Sequence, residues 1–158
     1  ARTLVKHLKN EGLIEISKLG ISLSEYGRRV FSSLRTVVSE QVEVPSSSLT
    51  VGLFNVAILV RGMAKTVKYG LEQRDASIMA GAKGATTLIF SKNRLTMPGV
   101  EEDAFKDNVA MRNLLSSKLN PKEGDVIIIG SADEKTKAEF GAKMATLQLL
   151  KSLLSSEK

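Results

Sequence analysis

The chain has no cysteine and no tryptophan, a single histidine, three prolines, and aromatic residues at only 4% of its 158 positions. The lack of cysteine excludes disulfides, thiolate metal sites and a cysteine nucleophile together. With His7 the only imidazole, no second histidine can share a metal with it and no Ser-His-Asp arrangement is credible. Long apolar runs are missing too. The longest, Val56–Val60, falls far short of the roughly 20 residues a helix needs to span a bilayer, and no signal peptide is visible. Neither G-x-x-x-x-G-K-S/T nor G-x-G-x-x-G occurs, so the known phosphate-loop spacings are absent. These absences lead to the expectation of a cytoplasmic protein that is not an enzyme, with no cofactor, no metal and no membrane partner.

What the chain does have is a hydrophobic content of 42%, sufficient for the cores of one or two domains. It also has an uneven positive charge. The net charge is +6, from 23 basic and 17 acidic residues. Residues 1–35 hold seven Lys/Arg against three acids, a surplus of four, leaving only two for the rest of the chain. A local basic excess of this kind is the electrostatic footprint of a nucleic-acid contact.

The residue order of that basic segment implies a mechanism. At about 100° per residue, Leu4, Val5 and Leu8 share one arc of a helix while Thr3, Lys6, His7 and Asn10 share the opposite arc. Gly12 ends the helix. Leu13–Ile16 and Ile21–Leu23 read as two short strands joined through Ser17-Lys18-Leu19-Gly20, a hairpin with Lys18 near its tip. Ser24 suits the N-cap of a second helix, in which Tyr26, Val30, Phe31 and Leu34 repeat at helical spacing and Arg28 and Arg29 point elsewhere.

At these residues the segment resembles the second half of a winged helix-turn-helix domain, in which a recognition helix ends at a glycine and a wing follows. The run S-L-S-E-Y-G-R-R-V-F looks like the L-T-x-x-G helix entry of archaeal and bacterial regulators of that kind. The resemblance implies that Thr3, Lys6, His7 and Asn10 face base edges, and that Arg2, Lys9, Lys18, Arg28 and Arg29 contact phosphates. The plainer alternative is a packing unit with a solvated basic face. The chain begins inside the expected recognition helix, so a complete winged helix needs earlier helices over Leu4, Val5 and Leu8. On that ground the sequence reads as a fragment, and without such helices DNA binding by this polypeptide is expected to be weak or absent.

The expected division is a partial winged helix over 1–38, a linker over 39–48 where Pro45 precedes three serines, and a second domain over 49–158. In the second domain the pattern predicts a strand over 49–60, a helix from Leu71 stopped by Gly84, and a hairpin of strands over 85–90 and 94–97. A helix opening at Glu101-Glu102-Asp103 with Phe105, Val109, Leu115 and Leu119 on its stripe comes next, then a central strand from Val126. Gly130-Ser131-Ala132-Asp133 leads to a last helix with the stripe Phe140, Met144, Leu147, Leu150 and Leu154. The fold class expected is α+β: a partial winged helix-turn-helix followed by an α/β sandwich domain.

The runs L-E-Q-R-D-A-S-I, A-K-G-A-T-T-L and G-D-V-I-I-I-G-S-A-D-E-K-T-K-A are similar to those of an archaeal family of winged-helix transcriptional regulators with a C-terminal domain of unknown function. That resemblance implies a regulator whose second domain dimerises or senses a ligand, and it carries no catalytic residues. Two ligand-binding candidates come from the residues themselves. Ser131, next to an expected helix N-terminus, offers a hydroxyl for an anion, with an ordinary cap by Ser131 or Asp133 as the alternative. Arg74 and Asp75 could hold a polar ligand, although neighbours on a helix diverge by about 100° and separate salt bridges are expected.

The functional expectation is a DNA-binding transcription regulator that binds double-stranded DNA as a homodimer through its last helix, with a small-molecule effector as a further partner. The alternatives are a small-molecule kinase or transferase with an appended winged helix, and a protein-interaction module that uses the wing.

Overall fold

The computed structural model describes the backbone of residues 1–156 and the side chains of residues 1–153. The protein is an α+β fold in two compact units, one of residues Ala1–Val37 and one from Val38 onward.

In the first unit, α1 (Arg2–Asn10) is followed by β1 (Ile14–Ser17), β2 (Gly20–Leu23) and α2 (Glu25–Val37). Gly12 adopts φ +71, a conformation that costs glycine little, and it ends α1 in a Schellman motif. The Leu13 N–H donates to Leu8 O and the Gly12 N–H to Lys9 O, both at 2.9 Å. β1 and β2 pair antiparallel from Ile14↔Leu23 to Ser17↔Gly20, which leaves Lys18 and Leu19 as the tip. Ser24 then locks the hairpin to α2. Its hydroxyl donates to Gly12 O at 2.5 Å and accepts the Gly27 N–H at 2.9 Å, the bond of an N-cap. Gly27 has to be glycine, because a Cβ there would stand 2.0 Å from Leu13 O.

The second unit is built on a five-stranded antiparallel sheet in the order β3-β4-β7-β5-β6. Its strands are β3 (Val42–Val44), β4 (Phe54–Val60), β5 (Gly84–Ser91), β6 (Arg94–Thr96) and β7 (Val126–Ala132); its helices are α3 (Leu71–Met79), α4 (Val109–Leu119) and α5 (Lys135–Ser156). All seven residues of β7 are buried. A near-continuous run of Val and Ile fits such a strand, because both of its faces are covered. Alternation sorts the side chains to the two faces. Ala57, Leu59, Leu88, Ile127 and Ile129 pack with Phe105, Met111, Leu115 and Leu119 on the α4 side. Val56 and Ile58 pack with Ala138 and Ala142 of α5 on the other. Each large aliphatic side chain fully buried this way contributes roughly 1.5–3 kcal/mol. One sheet end is tied by Asp125, a buried carboxylate that accepts from the Arg61 guanidinium at 2.6 Å and from the N–H groups of Gly62 at 2.9 Å and Lys122 at 2.8 Å.

Several expected elements differ from the structure, each for a local physical reason. The 39–48 stretch, expected as a linker, contains β3, which pairs with β4 from Val42↔Ala57 to Val44↔Asn55. β4 begins only at Phe54, because Gly52 runs so close to Ala132 that a Cβ would stand 2.4 Å from its nitrogen. The connection after β4, unassigned from sequence, holds a short 3-10 turn at Ala64–Thr66. The turn after α3 uses Gly81 at φ +94, whereas Gly84 already lies in β5. Glu101–Asp103 precede α4 instead of opening it. Asn108 is the N-cap, its side chain accepting the Met111 N–H at 3.0 Å, and Val109 points outward while Met111 takes its place in the core.

The last helix is turned relative to its expected stripe. Its buried residues are Ala138, Gly141, Ala142, Ala145, Thr146 and Leu149, with Gly141 set against Ser77 of α3 and Ala82, while Phe140 is 53% and Leu147 42% exposed. Small residues win this face because Gly130 of β7 lies directly beneath, where a Cβ would stand 2.5 Å from Ala142 N and 2.6 Å from Ala138 O. Met144 and Leu150 are half-buried, and Leu154 lies outside the residues whose side chains are described.

Candidate nucleic-acid interface

α1 is short and strongly two-sided. Val5 and Leu8 are half-buried, whereas Arg2, Thr3, Lys6, His7, Lys9 and Asn10 are all exposed. His7 and Lys9 lie in the last turn, where the helix dipole favours cations, but Arg2 stands at the first helical position, where it does not. No acid occupies that first turn to offset Arg2. Its placement therefore does nothing for the helix that carries it.

The hairpin supplies the second element. Its two-residue tip projects Lys18 with the fully exposed Leu19 beside it, and the Ser17 hydroxyl accepts the Leu19 N–H at 3.1 Å, fixing the turn. Leu19 does not stand out in the sequence, and only its place in a two-residue loop marks it.

α2 supplies the third. Glu25 sits in its first turn, where an acid is favourable, and Arg28 and Arg29 are exposed one turn further on. Near the end of α2, Arg35 stacks over Phe31 with its guanidinium carbon 5.8 Å from the ring centroid, a cation–π contact. Tyr26, Val30, Phe31 and Leu34, which the spacing reads as a packing stripe, remain about half exposed.

The three elements meet at one joint: Ser24 touches Gly12 at the end of α1, closes β2 and caps α2. The unit thereby carries nine exposed residues suited to hydrogen-bonding or phosphate contact: Arg2, Thr3, Lys6, His7, Lys9, Asn10, Lys18, Arg28 and Arg29. None of the basic side chains among these nine is held in an ion pair among the described residues. In the second unit, by contrast, Lys83, Lys106, Lys135 and Lys137 each contact a carboxylate.

The two ligand-binding candidates belong to the second unit. Ser131 is inside β7 and 1% exposed, its hydroxyl donating to Asn55 Oδ1 at 2.7 Å, so neither a helix start nor a cap exists at that residue. Arg74 and Asp75 are exposed and pair with each other at 2.9 Å, where separate salt bridges were expected, because the guanidinium folds back along the helix surface.

Fold and surface together define an α+β protein with a small basic helix–hairpin–helix unit ahead of an antiparallel sheet covered by helices on both faces. The chain belongs to the family described as "Domain of unknown function (DUF4443)", which matches residues 51–149. Among solved structures it is similar to the "Hypothetical protein PH0730 from Pyrococcus horikoshii OT3", with a TM-score of 0.66 at 24% identity over 96% of this chain and 81% of that one. That likeness extends the fold beyond the family match to nearly the whole chain. No curated protein matches it. Among the described residues no helix is long and apolar enough to cross a membrane.

Proposed function

We propose that this is a cytoplasmic DNA-binding transcription regulator of the archaeal winged-helix type, with α1 as recognition helix and the β1–β2 hairpin as wing. The observation that carries the reading is the set of exposed cations, without ion-pair partners among the described residues, on one helix, one hairpin tip and one helix start, all joined through Ser24. Arg2, Lys9, Lys18, Arg28 and Arg29 are assigned to phosphates, which supply most of the affinity. Thr3, Lys6, His7 and Asn10, on the opposite side of α1 from its leucines, are assigned to base edges, where donors and acceptors are distinguished in the major groove.

The second domain is assigned dimerisation and the sensing of a small effector. Phe140 and Leu147 on the outer side of α5 are large apolar side chains left exposed by the way the helix seats on the sheet. A twofold partner covering them would pair two recognition helices, as dimeric regulators do when they read half-sites about one turn of DNA apart.

The test is selection of preferred duplexes by the full-length protein and by its Asn10→Ala and Thr3→Ala variants. A base-reading role predicts relaxed preference at one or two positions with a loss of about 1–3 kcal/mol on the preferred site alone. An unchanged preference removes both residues from the base-reading set.

A further inference from the structure

The segment from Arg61 to Gly70, which the sequence marks only as a basic connection, contributes Lys65, Thr66 and Lys68 to a cavity of about 570 Å³. Lys65 comes from the 3-10 turn, Lys68 from the loop after it, and Lys151 and Gln148 from α5, while Glu72 comes from the first turn of α3. Three ammonium groups and one carboxylate leave the cavity with a charge of +2, and none of the four is in an ion pair among the described residues. The two hydroxyls on the rim are already committed: Thr66 donates to Met63 O at 2.7 Å and Ser152 to Gln148 O at 3.1 Å.

The helix that contributes Glu72, α3, begins without a side-chain cap, at Gly70 in a left-handed conformation, φ +75. The N–H groups of its first turn therefore lack the partner a serine or aspartate would give. Gln73, next to Glu72 along that turn, is only 2% exposed, and its Oε1 has no hydrogen-bond partner. Thr146 Oγ1 on the buried side of α5 is likewise without one. Buried polar atoms are normally satisfied by protein, water or ligand; these two belong to the same helices, α3 and α5, that give Glu72, Gln148 and Lys151 to the cavity.

We propose that this cavity binds a small molecule carrying a diphosphate group, either free pyrophosphate or a nucleoside diphosphate. This rests on the regulator reading and names the chemical class of its effector. Lysines act on phosphate as point charges and impose little geometry, so three of them around a concave site suit a group with several charged oxygens. A volume of this order accommodates a ligand of nucleotide size. Glu72 is the electrostatic exception. It opposes the anion, which gives the site a residue whose neutralisation strengthens binding.

The experiment is calorimetry and amide-shift NMR on the full-length protein, titrated with inorganic pyrophosphate and separately with ADP at fixed ionic strength. The expected result is saturable binding with shifts centred on residues 65–72 and 148–152. Lys68→Gln combined with Lys151→Gln weakens it about tenfold or more, and Glu72→Gln tightens it a few-fold. Tighter binding of ADP than of pyrophosphate identifies the nucleotide as the source; equal affinity identifies the diphosphate alone. Absence of saturation by both probes overturns the proposal, as does a lysine variant that binds like wild type. It is overturned equally if the lysine variant loses affinity only for duplex DNA, which would make the cavity a nucleic-acid contact. DNA binding measured without added diphosphate keeps the two readings apart. Its loss with diphosphate binding intact counts against the regulator reading alone.

Discussion

Gly130→Ala is a demanding test of how the second domain is built. A Cβ at this position would meet Ala142 N at 2.5 Å, Ala138 O at 2.6 Å and Ala142 Cα at 2.9 Å. Non-bonded heavy atoms prefer about 3.5–4.0 Å, so α5 would have to lift by about 1 Å along its contact with β7. All three atoms belong to the helix backbone, so no side-chain rotation relieves the clash. Overpacking a tight core costs about 1–3 kcal/mol, and with a rigid helix as neighbour we expect the upper end, about 3 kcal/mol. In a domain of this size that is a loss of roughly 10–15 °C in Tm. In urea the midpoint should fall with the slope unchanged, since the surface exposed on unfolding stays the same. Ala142→Gly should fail to rescue the variant, because the clash is with backbone that glycine also has. A Gly130→Ala protein within 1 kcal/mol of wild type would refute the close seating of α5, and with it the reason Phe140 and Leu147 face outward.

Three further outcomes are expected. Leu147→Glu, which places a charge on the exposed side of α5, should yield monomers in sedimentation equilibrium; an unchanged mass would remove this face as the dimer surface. Glu123 accepts the Ser91 hydroxyl at 2.6 Å and the Lys92 N–H at 2.8 Å, and these hydrogen bonds hold its carboxyl below the ordinary glutamate range. A lowered folded-state value means the contact adds stability above the unfolded midpoint and loses it as pH falls through the folded one. Ser91→Ala should therefore raise the Glu123 midpoint in a carboxyl NMR titration, and no change would show that the hydroxyl is not the main cause. Lys135 is held above the ordinary lysine range by its hydrogen bond to Glu43, so Glu43→Gln should bring its midpoint back down in an ammonium NMR titration; an unmoved midpoint would break that assignment.

Much of the first unit was legible because its signals are local. The Gly12 stop, the hairpin with Lys18 at its tip and the Ser24 cap each depend on residues within a few positions of one another. β7 was legible for another reason: an unbroken Val-Ile-Ile-Ile run suits little else than a covered strand. The features that escaped depend on distant partners. β3 is three residues in a polar stretch, and its pairing with β4 is what makes it a strand. The buried side of α5 could not be read from its large apolar residues, because contact with Gly130 selects alanine at 138 and 142 and contact with Ser77 and Ala82 selects glycine at 141. Ser131 read as lying next to a helix N-terminus, whereas it is inside β7, where the preceding Gly130 serves close packing. The lysine-lined cavity joins residues 65–72 to 148–152, an association that no local pattern carries.

The proposed interface is most directly tested by the salt dependence of duplex binding by the full-length protein. With Arg2, Lys9, Lys18, Arg28 and Arg29 on phosphates, log K should fall against log salt with a slope of about −4.5 per protomer. Lys18→Ala should make that slope shallower by about one unit. A flat salt response, or a Lys18→Ala slope indistinguishable from wild type, would contradict the account.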